Sequence, residues 1–298
     1  MTSPALTSEE LLQAPLALLD SRFAQRMVRL PSGAQVSVRE CGRSGGRPTA
    51  VLLHGIGSGA ASWLHVALLV CEHAHVLAWD APGYGESTPL PGDAPADSDY
   101  AGRLDELLRT LGIERCVLVG HSLGALMACA YARGPGASRV ARLLLISPAG
   151  GYGGPGQAAV AGRVRSERRE TLHTLGVAGL AERSAARLLS PAADAKARAW
   201  VAWNSARLRP SGYLQAVELL CAGDLARNAG LETPVEVYCG DADTVTPPEG
   251  CRNWAEFFHA GFELIEGAGH AGPVEQPGAV ARIALRAIER AEKGPGHG

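Results

Sequence analysis

The sequence holds no Cys-x-x-Cys pair, no excess of one charge and no apolar run long enough to span a bilayer, and each absence closes a class of function. Seven cysteines, at positions 41, 71, 116, 129, 221, 239 and 251, make an odd set without paired spacing. A disulfide framework and a zinc knuckle are therefore both disfavoured. Several of the cysteines lie in apolar runs, where a free thiol acts as a small hydrophobe. A reducing, cytoplasmic setting is the expectation. The formal net charge is −2, from 28 basic and 30 acidic residues. Nothing in that balance marks a nucleic-acid partner. No segment approaches the ~18–20 apolar residues of a membrane helix, so no membrane association is expected. Leu11 to Leu19 is apolar but short and stops at Asp20, and Met1-Thr2-Ser3-Pro4 carries no basic residue. This stretch reads as a surface helix and not as an export signal. His73-x-His75 puts two rings on one face of a strand with no third ligand near, so no metal is expected. The sequence carries no signal of oligomeric state.

What is present is an alternating pattern. At 298 residues and 46% apolar composition, the chain can bury one large α/β core with an inserted subdomain. Short apolar runs fall at Ala50–His54, His75–Trp79, Cys116–Val119, Arg142–Ile146, Val235–Cys239 and Phe262–Ile265. Met27–Leu30 and Val36–Val38 flank Pro31-Ser32-Gly33, a hairpin signal. Tyr100, Leu104, Leu107, Leu108 and Leu111 keep the helical period, and Leu123–Arg133 and Val280–Ala291 read as helices too. Strands alternating with helices imply βαβ units and a mostly parallel sheet. From about residue 150 to 230 the alternation fails. Seven residues, Gly150-Gly151-Tyr152-Gly153-Gly154-Pro155-Gly156, open that stretch as an expected flexible hinge, and helical sequence follows. The expected organisation is a core of residues 1–149 and 231–298 with a helical cap, 150–230, inserted between them. The glycine-rich tail from Gly294 is expected to be disordered.

The sharpest local signal is Gly120-His121-Ser122-Leu123-Gly124, a G-x-S-x-G after a strand and before a helix. A nucleophilic serine there must sit on a strained strand-to-helix turn that leaves its Oγ free, and small residues two positions either side make the turn possible. The helix N-terminus aims its free N–H groups at the same place. His121, the serine's neighbour, is directed away from Oγ by so tight a turn and is read as packing or pocket wall. Upstream, His54-Gly55-Ile56-Gly57-Ser58 follows a strand, so the N–H groups of Ile56 and Leu123 are candidate oxyanion donors. His54, Gly55 and Gly57 are candidate pocket residues with them.

That upstream segment has a second reading. Gly55, Gly57 and Ala60 also satisfy G-x-G-x-x-G/A after a strand, and Asp80 stands where a ribose-binding acid would. A dinucleotide-binding oxidoreductase is the rival this supports, although it leaves the Ser122 turn unexplained.

Two loops later in the chain supply an acid and a base. Val235–Cys239 is followed by Gly240-Asp241-Ala242-Asp243, and Phe262–Ile265 by Glu266-Gly267-Ala268-Gly269-His270. Both sit at C-terminal strand ends, the sheet edge where Ser122 is expected. His270 is the candidate base and Asp243 the candidate orienting acid. Asp241 is the alternative acid, or a turn residue capping its own loop. In the insertion, Trp200 and Trp203 share a helix face, as pocket roof or as ordinary packing. Arg163, Arg165, Arg168 and Arg169 read either as a carboxylate clamp or as a solvated face balanced by Glu167 and Glu170.

Taken in order, Leu53-His54-Gly55, Asp80 through Ser87, Gly120–Gly124, Gly240 through Pro247, and Gly269-His270 with Glu275-Gln276-Pro277 resemble the motifs of the α/β-hydrolase superfamily. The resemblance covers about residues 25–150 and 230–292. It implies an eight-stranded, mostly parallel sheet flanked by helices, with Asp243 at the acid position. Pro210-Ser211-Gly212-Tyr213, Asp224-Leu225 and Thr233-Pro234 are similar to 3-oxoadipate enol-lactonases and related small-ester hydrolases. Here His121 and Leu123 replace the hydrophobic residue and Met more usual in that elbow, Ala125 replaces a frequent glycine, and the cap is longer. The resemblance implies cofactor-free hydrolysis of a small ester or lactone. Meta-cleavage C–C hydrolases and non-catalytic ligand receptors of the same fold are the further alternatives.

Overall fold

The computed structural model describes residues 6–43 and 46–293. The tail expected to be disordered, residues 294–298, and the first five residues lie outside that range. Eight strands form one sheet: β1 Gln25–Arg29, β2 Gln35–Cys41, β3 Thr49–Leu53, β4 Val76–Trp79, β5 Cys116–His121, β6 Val140–Ile146, β7 Val235–Gly240 and β8 Gly261–Ile265. Their spatial order is β1-β2-β4-β3-β5-β6-β7-β8. The β1–β2 hairpin is antiparallel, with Met27 opposite Ser37 and Val28 opposite Val36. β2 runs antiparallel to β4, and every pairing from β4 to β8 is parallel. The sequence runs locate all eight strands. His54 lies just past β3, and β5 extends beyond Val119 as far as His121.

Period-two alternation divides the core between the sheet's two faces. Val51, Leu53 and Leu118 join one cluster, with residues of α3 (Asp97–Thr110), α4 (Gly124–Arg133) and α8 (Pro248–Phe257). Ala50, Leu52, Val117 and Val119 join the other, with α1 (Ser8–Arg22), α2 (Leu64–Val70) and α10 (Pro277–Glu292). The central strands are buried on both faces, which is why they read as continuous apolar runs. α1 contains the Leu11–Leu19 stretch. It starts in a capping box of Thr7 and Glu10 and buries Leu19. No helix among the described residues is long and apolar enough to cross a membrane. All seven cysteines are free thiols.

Between β6 and β7 the chain is helical: α5 Ala158–Leu188, α6 Ala195–Ser205, α7 Pro210–Ala222 and a 3-10 turn at Leu225–Asn228. α5 is broken at Gly176, whose φ of 62° no right-handed helix accepts. The glycine run at 150–156 differs from expectation. It is laced to the far end of the insertion and is not a free hinge. Tyr152 N–H donates to the Leu220 carbonyl at 2.9 Å, Gly153 N–H to Gly223 at 2.8 Å, and Leu225 N–H to Gly150 at 2.8 Å. A Cβ on Gly151 would strike the Gly223 carbonyl, and one on Gly153 the Ala222 carbonyl. Here the glycines permit backbone to lie on backbone.

Candidate functional site

Ser122 occupies the turn between β5 and α4 with φ 53°, one of three non-glycine residues with positive φ among the described residues. Such a conformation costs on the order of 1–3 kcal/mol and persists only where the surroundings enforce it. They do so from three directions. Ser122 N–H donates to the Ile146 carbonyl of β6 at 3.0 Å, and the Ser122 carbonyl accepts from Ala125 at 3.0 Å and Ala149 at 3.1 Å. A Cβ on Gly120 would come within 2.7 Å of the Gly124 carbonyl, and one on Gly124 within 2.5 Å of the Leu53 carbonyl. Both flanking positions therefore exclude any side chain.

The loop after β3 lies against this turn. A Cβ built on Gly55 would stand 3.0 Å from Ser122 Cβ and 3.4 Å from its Oγ. Buried His54 fixes the loop from behind. Its Nε2 accepts from the Ala81 N–H at 3.0 Å, so Nδ1 carries the proton and donates to the Gly55 carbonyl at 2.9 Å. Tyr84 donates its hydroxyl to the Ile56 carbonyl at 2.8 Å. The N–H groups of Ile56 and Leu123 donate to no other group among the described residues. His54 thus struts two loops, a role its sequence position does not reveal.

Asp80 is committed elsewhere than to a ribose. Its Oδ1 accepts the Ala60 N–H at 2.8 Å and its Oδ2 the Ser37 hydroxyl at 2.7 Å. It braces the Gly59-Ala60 turn, which corrects the dinucleotide reading of Gly55, Gly57 and Ala60.

The acid and histidine loops meet. His270 Nδ1 lies 2.9 Å from Asp243 Oδ2. Asp243 Oδ1 accepts N–H groups from Val245 at 2.8 Å and Thr246 at 3.0 Å. Burial would raise the Asp243 carboxyl, but the hydrogen bond and charge of His270, with the Thr246 N–H, outweigh it and hold the carboxyl at about 2. Asp241 does not reach the imidazole and instead accepts the Ala268 N–H at 3.2 Å, capping its own loop. The Thr246 hydroxyl stands 2.9 Å from Asp243 Oδ2, 3.2 Å from His270 Nδ1 and 3.1 Å from the Ser147 carbonyl. Sequence reading passed over Thr246. Its position three residues after an aspartate, in a loop turning on that carboxylate, is the signal for it.

Three contacts position the His270 backbone. His121 Nε2 donates to the His270 carbonyl at 2.7 Å, with the two rings 5.1 Å apart. Glu275 accepts the N–H of Gly269 at 2.7 Å and that of Ser190 at 2.9 Å, joining the histidine loop to the segment that follows α5. Ala271 N–H donates to the Leu188 carbonyl at 2.8 Å. Burial, and secondarily the charge of His270, hold His121 neutral down to about pH 3 against an ordinary 6.5. Between those values the unfolded chain takes up a proton that folded His121 refuses. Stability attributable to this residue therefore falls as pH drops, by up to about 1.4 kcal/mol per pH unit. Urea unfolding at pH 7 and pH 4 should show a smaller acid loss in His121→Gln than in the unsubstituted chain. Equal losses would remove His121 as the source.

The insertion's candidates are used differently from expectation. Trp200 is buried in the cluster with Trp63 and α1, edge-on to His65, and Trp203 stacks on it at 4.8 Å and 5°. The pair is packing; the insertion reaches the Gly57 turn through Ser205, whose hydroxyl donates to the Gly57 carbonyl at 2.8 Å, and through the Leu188 side chain. Arg165 and Arg169 each pair at 2.8 Å with Glu218 of α7, and not with Glu167 or Glu170. Arg163 sits 3.9 Å from Glu167. Arg168 donates to the Tyr213 hydroxyl at 3.2 Å and meets no carboxylate among the described residues. His75 faces Thr49 and Glu40, and no group of side chains able to hold a metal ion occurs among the described residues.

A family model described as "Alpha/beta hydrolase family" matches residues 50–283. A 2-hydroxy-6-oxononadienedioate/2-hydroxy-6-oxononatrienedioate hydrolase of Dechloromonas aromatica is 34% identical over 146 residues, 47% of this chain and 49% of that protein. Its counterpart in Paraburkholderia phymatum is 37% identical over 132 residues, covering 43% and 45%. The chain spans about half the length of these curated relatives. Among solved structures, an enol-lactonase from Burkholderia xenovorans superposes with TM-score 0.76 at 25% identity, over 89% of this chain and all of that one. An esterase from Thermogutta terrifontis shares the fold, with TM-score 0.77 at 24% identity over 90% and 99%.

Proposed function

We propose that this chain, which belongs to the alpha/beta hydrolase family, is a serine hydrolase that cleaves a small carboxylic ester or lactone. The observation that carries the reading is the Asp243–His270 pair at 2.9 Å, on the sheet edge where Ser122 is held at φ 53°. With Nδ1 turned to the carboxylate, His270 keeps Nε2 for proton transfer. In this route Ser122 Oγ attacks the carbonyl carbon while His270 takes its proton. Negative charge on the carbonyl oxygen is met by the Ile56 and Leu123 N–H groups, which need no rearrangement to receive it. Collapse expels the alcohol, protonated by His270. Water, activated by the same imidazole, then frees the acid. Every step is a proton transfer or acyl transfer, so the route calls for no cofactor. Residues 150–230 form the cap over this site in the same reading. Seven free thiols suit a cytoplasmic setting.

A substrate bearing a carboxylate is favoured by Arg168 and Arg187. Arg187 is solvent-exposed, yet partial desolvation and the charge of Arg168 lower its pKa, and Tyr213 and Tyr152 stand near it. Neither arginine has a carboxylate partner among the described residues. That gives C–C hydrolysis of a dienone acid a specific footing as the second reading, since the curated relatives are named as hydrolases of 2-hydroxy-6-oxononadienedioate, a dicarboxylate. The decisive experiment runs a p-nitrophenyl ester chain-length series beside an enol-lactone and a dienone acid. Turnover of a short ester or the enol-lactone, blocked by a fluorophosphonate, is the expected result. Arg168→Gln and Arg187→Gln should raise KM about tenfold or more for acid-bearing substrates alone. Turnover of the dienone acid alone would select the second reading, and turnover of none would overturn both.

A further inference from the structure

A separate cavity of about 350 Å³ opens between the β1–β2 edge, the turn after the oxyanion loop and the corner joining α6 to α7. Its walls include Arg39, Asp80, Glu86, Arg207 and Arg209, and do not include Ser122, Asp243 or His270. Arg39 is 7% exposed. It donates Nη1 to the Phe23 carbonyl at 2.7 Å and has no other hydrogen-bond partner among the described residues. A guanidinium carries five N–H donors, so most of those on this buried side chain are unspent.

The two other arginines come from the insertion. Arg207 lays its guanidinium over Trp203, 4.6 Å from the ring centroid. That contact uses the face of the cation and leaves its edge, where the N–H groups point, unoccupied. Arg209 donates to the Gly85 carbonyl at 2.9 Å and stands 4.0 Å from the exposed Glu86 carboxylate. Of the two acids in the wall, Asp80 already receives the Ser37 hydroxyl and the Ala60 N–H. Three cations therefore face the space against one engaged and one exposed carboxylate. Burial lowers the Arg39 pKa; Asp80, and less strongly Asp20 outside the cavity wall, oppose this in part, and the charge of Arg207 lowers it further. The cavity is short of negative charge.

We propose that this cavity is a second binding site, for a small oxyanion, either a carboxylate or a phosphate, held by Arg39 from the core and by Arg207 and Arg209 from the insertion. The volume corresponds to about twelve water molecules at ~30 Å³ each, enough for the anion and a short organic body. A bound anion bridges core and insertion behind the loop that carries the Ile56 N–H. The site stands on its own geometry and does not depend on the hydrolase reading.

The test is isothermal titration calorimetry on the full chain with inorganic phosphate and, in a separate arm, succinate. Both are run in a Ser122→Ala, Arg168→Gln, Arg187→Gln background, which removes the nucleophile and the two arginines read as binding a substrate carboxylate. Saturable 1:1 binding of at least one anion is expected, with a Kd on the order of 1 mM or tighter. The arm that binds identifies phosphate or carboxylate as the preferred group. Arg39→Gln and Arg207→Gln, added separately, should each weaken that binding about tenfold or more. Arg207 is exposed, so its variant stays informative if loss of Arg39 unfolds the chain. No saturable binding of either anion, or binding unchanged by Arg207→Gln, would overturn the proposal.

Discussion

Ser122→Ala is expected to reduce kcat for a p-nitrophenyl ester by about 10⁴–10⁶-fold, the range seen when a nucleophilic serine is deleted from an intact triad. Fluorophosphonate labelling should vanish with it. The fold should tolerate the change, because the backbone bonds holding the turn come from Ile146, Ala125 and Ala149 and involve no Ser122 side-chain atom. Alanine also adopts positive φ at about the cost serine bears. A thermal midpoint close to the unsubstituted value would then separate lost chemistry from lost structure. The residual rate carries information as well: the Ile56 and Leu123 N–H groups remain and can still polarise a carbonyl toward water. A variant that retains ester turnover within tenfold would remove Ser122 as the nucleophile.

Asp243→Asn is the second large effect, about 10⁴-fold in kcat with little change in KM. The aspartate accepts from His270 Nδ1, from two backbone N–H groups and from the Thr246 hydroxyl. An amide in its place presents N–H where an acceptor is required, favours the wrong imidazole tautomer and leaves an imidazolium without its counter-charge. Since the carboxyl is held at about 2, it is an anion throughout any ordinary assay range, so this residue contributes no limb to the pH–rate profile. Asp241→Asn is the internal comparison. Its carboxylate caps the Ala268 N–H, and a modest stability loss with activity within a few-fold is expected. If the two variants lost activity equally, the choice of Asp243 over Asp241 would fail.

The fold was legible because strand runs and helical periods are short-range signals. β3, β5 and β6 are buried on both faces, and nothing but an apolar run satisfies that position. The placement of Asp243 against His270 was legible for a related reason: both follow C-terminal strand ends, and a parallel sheet collects those ends at one edge. What escaped reading was contact between distant segments. Nothing near His54 in sequence says that its Nε2 takes a proton donor from Ala81, or that His121 supports the carbonyl of residue 270. The Trp200–Trp203 spacing predicted a shared face correctly, but which neighbour that face meets is decided by α1 and the core beneath it. Similarly, the acid that pairs Arg165 and Arg169 lies some fifty residues on, in α7, beyond the reach of any local charge pattern.

The lacing of Gly150 and Gly153 to Leu225 and Gly223 brings the outgoing and returning chain side by side, so the whole excursion leaves the sheet through a single narrow doorway. A segment whose two ends already touch can be exchanged for another of different length without moving β6 or β7 apart. That one block can thus be replaced as a unit, while Ser122, Asp243 and His270 on the sheet edge stay in register. The seam sets the terms of such a graft: any replacement must keep bare backbone at 151 and 153.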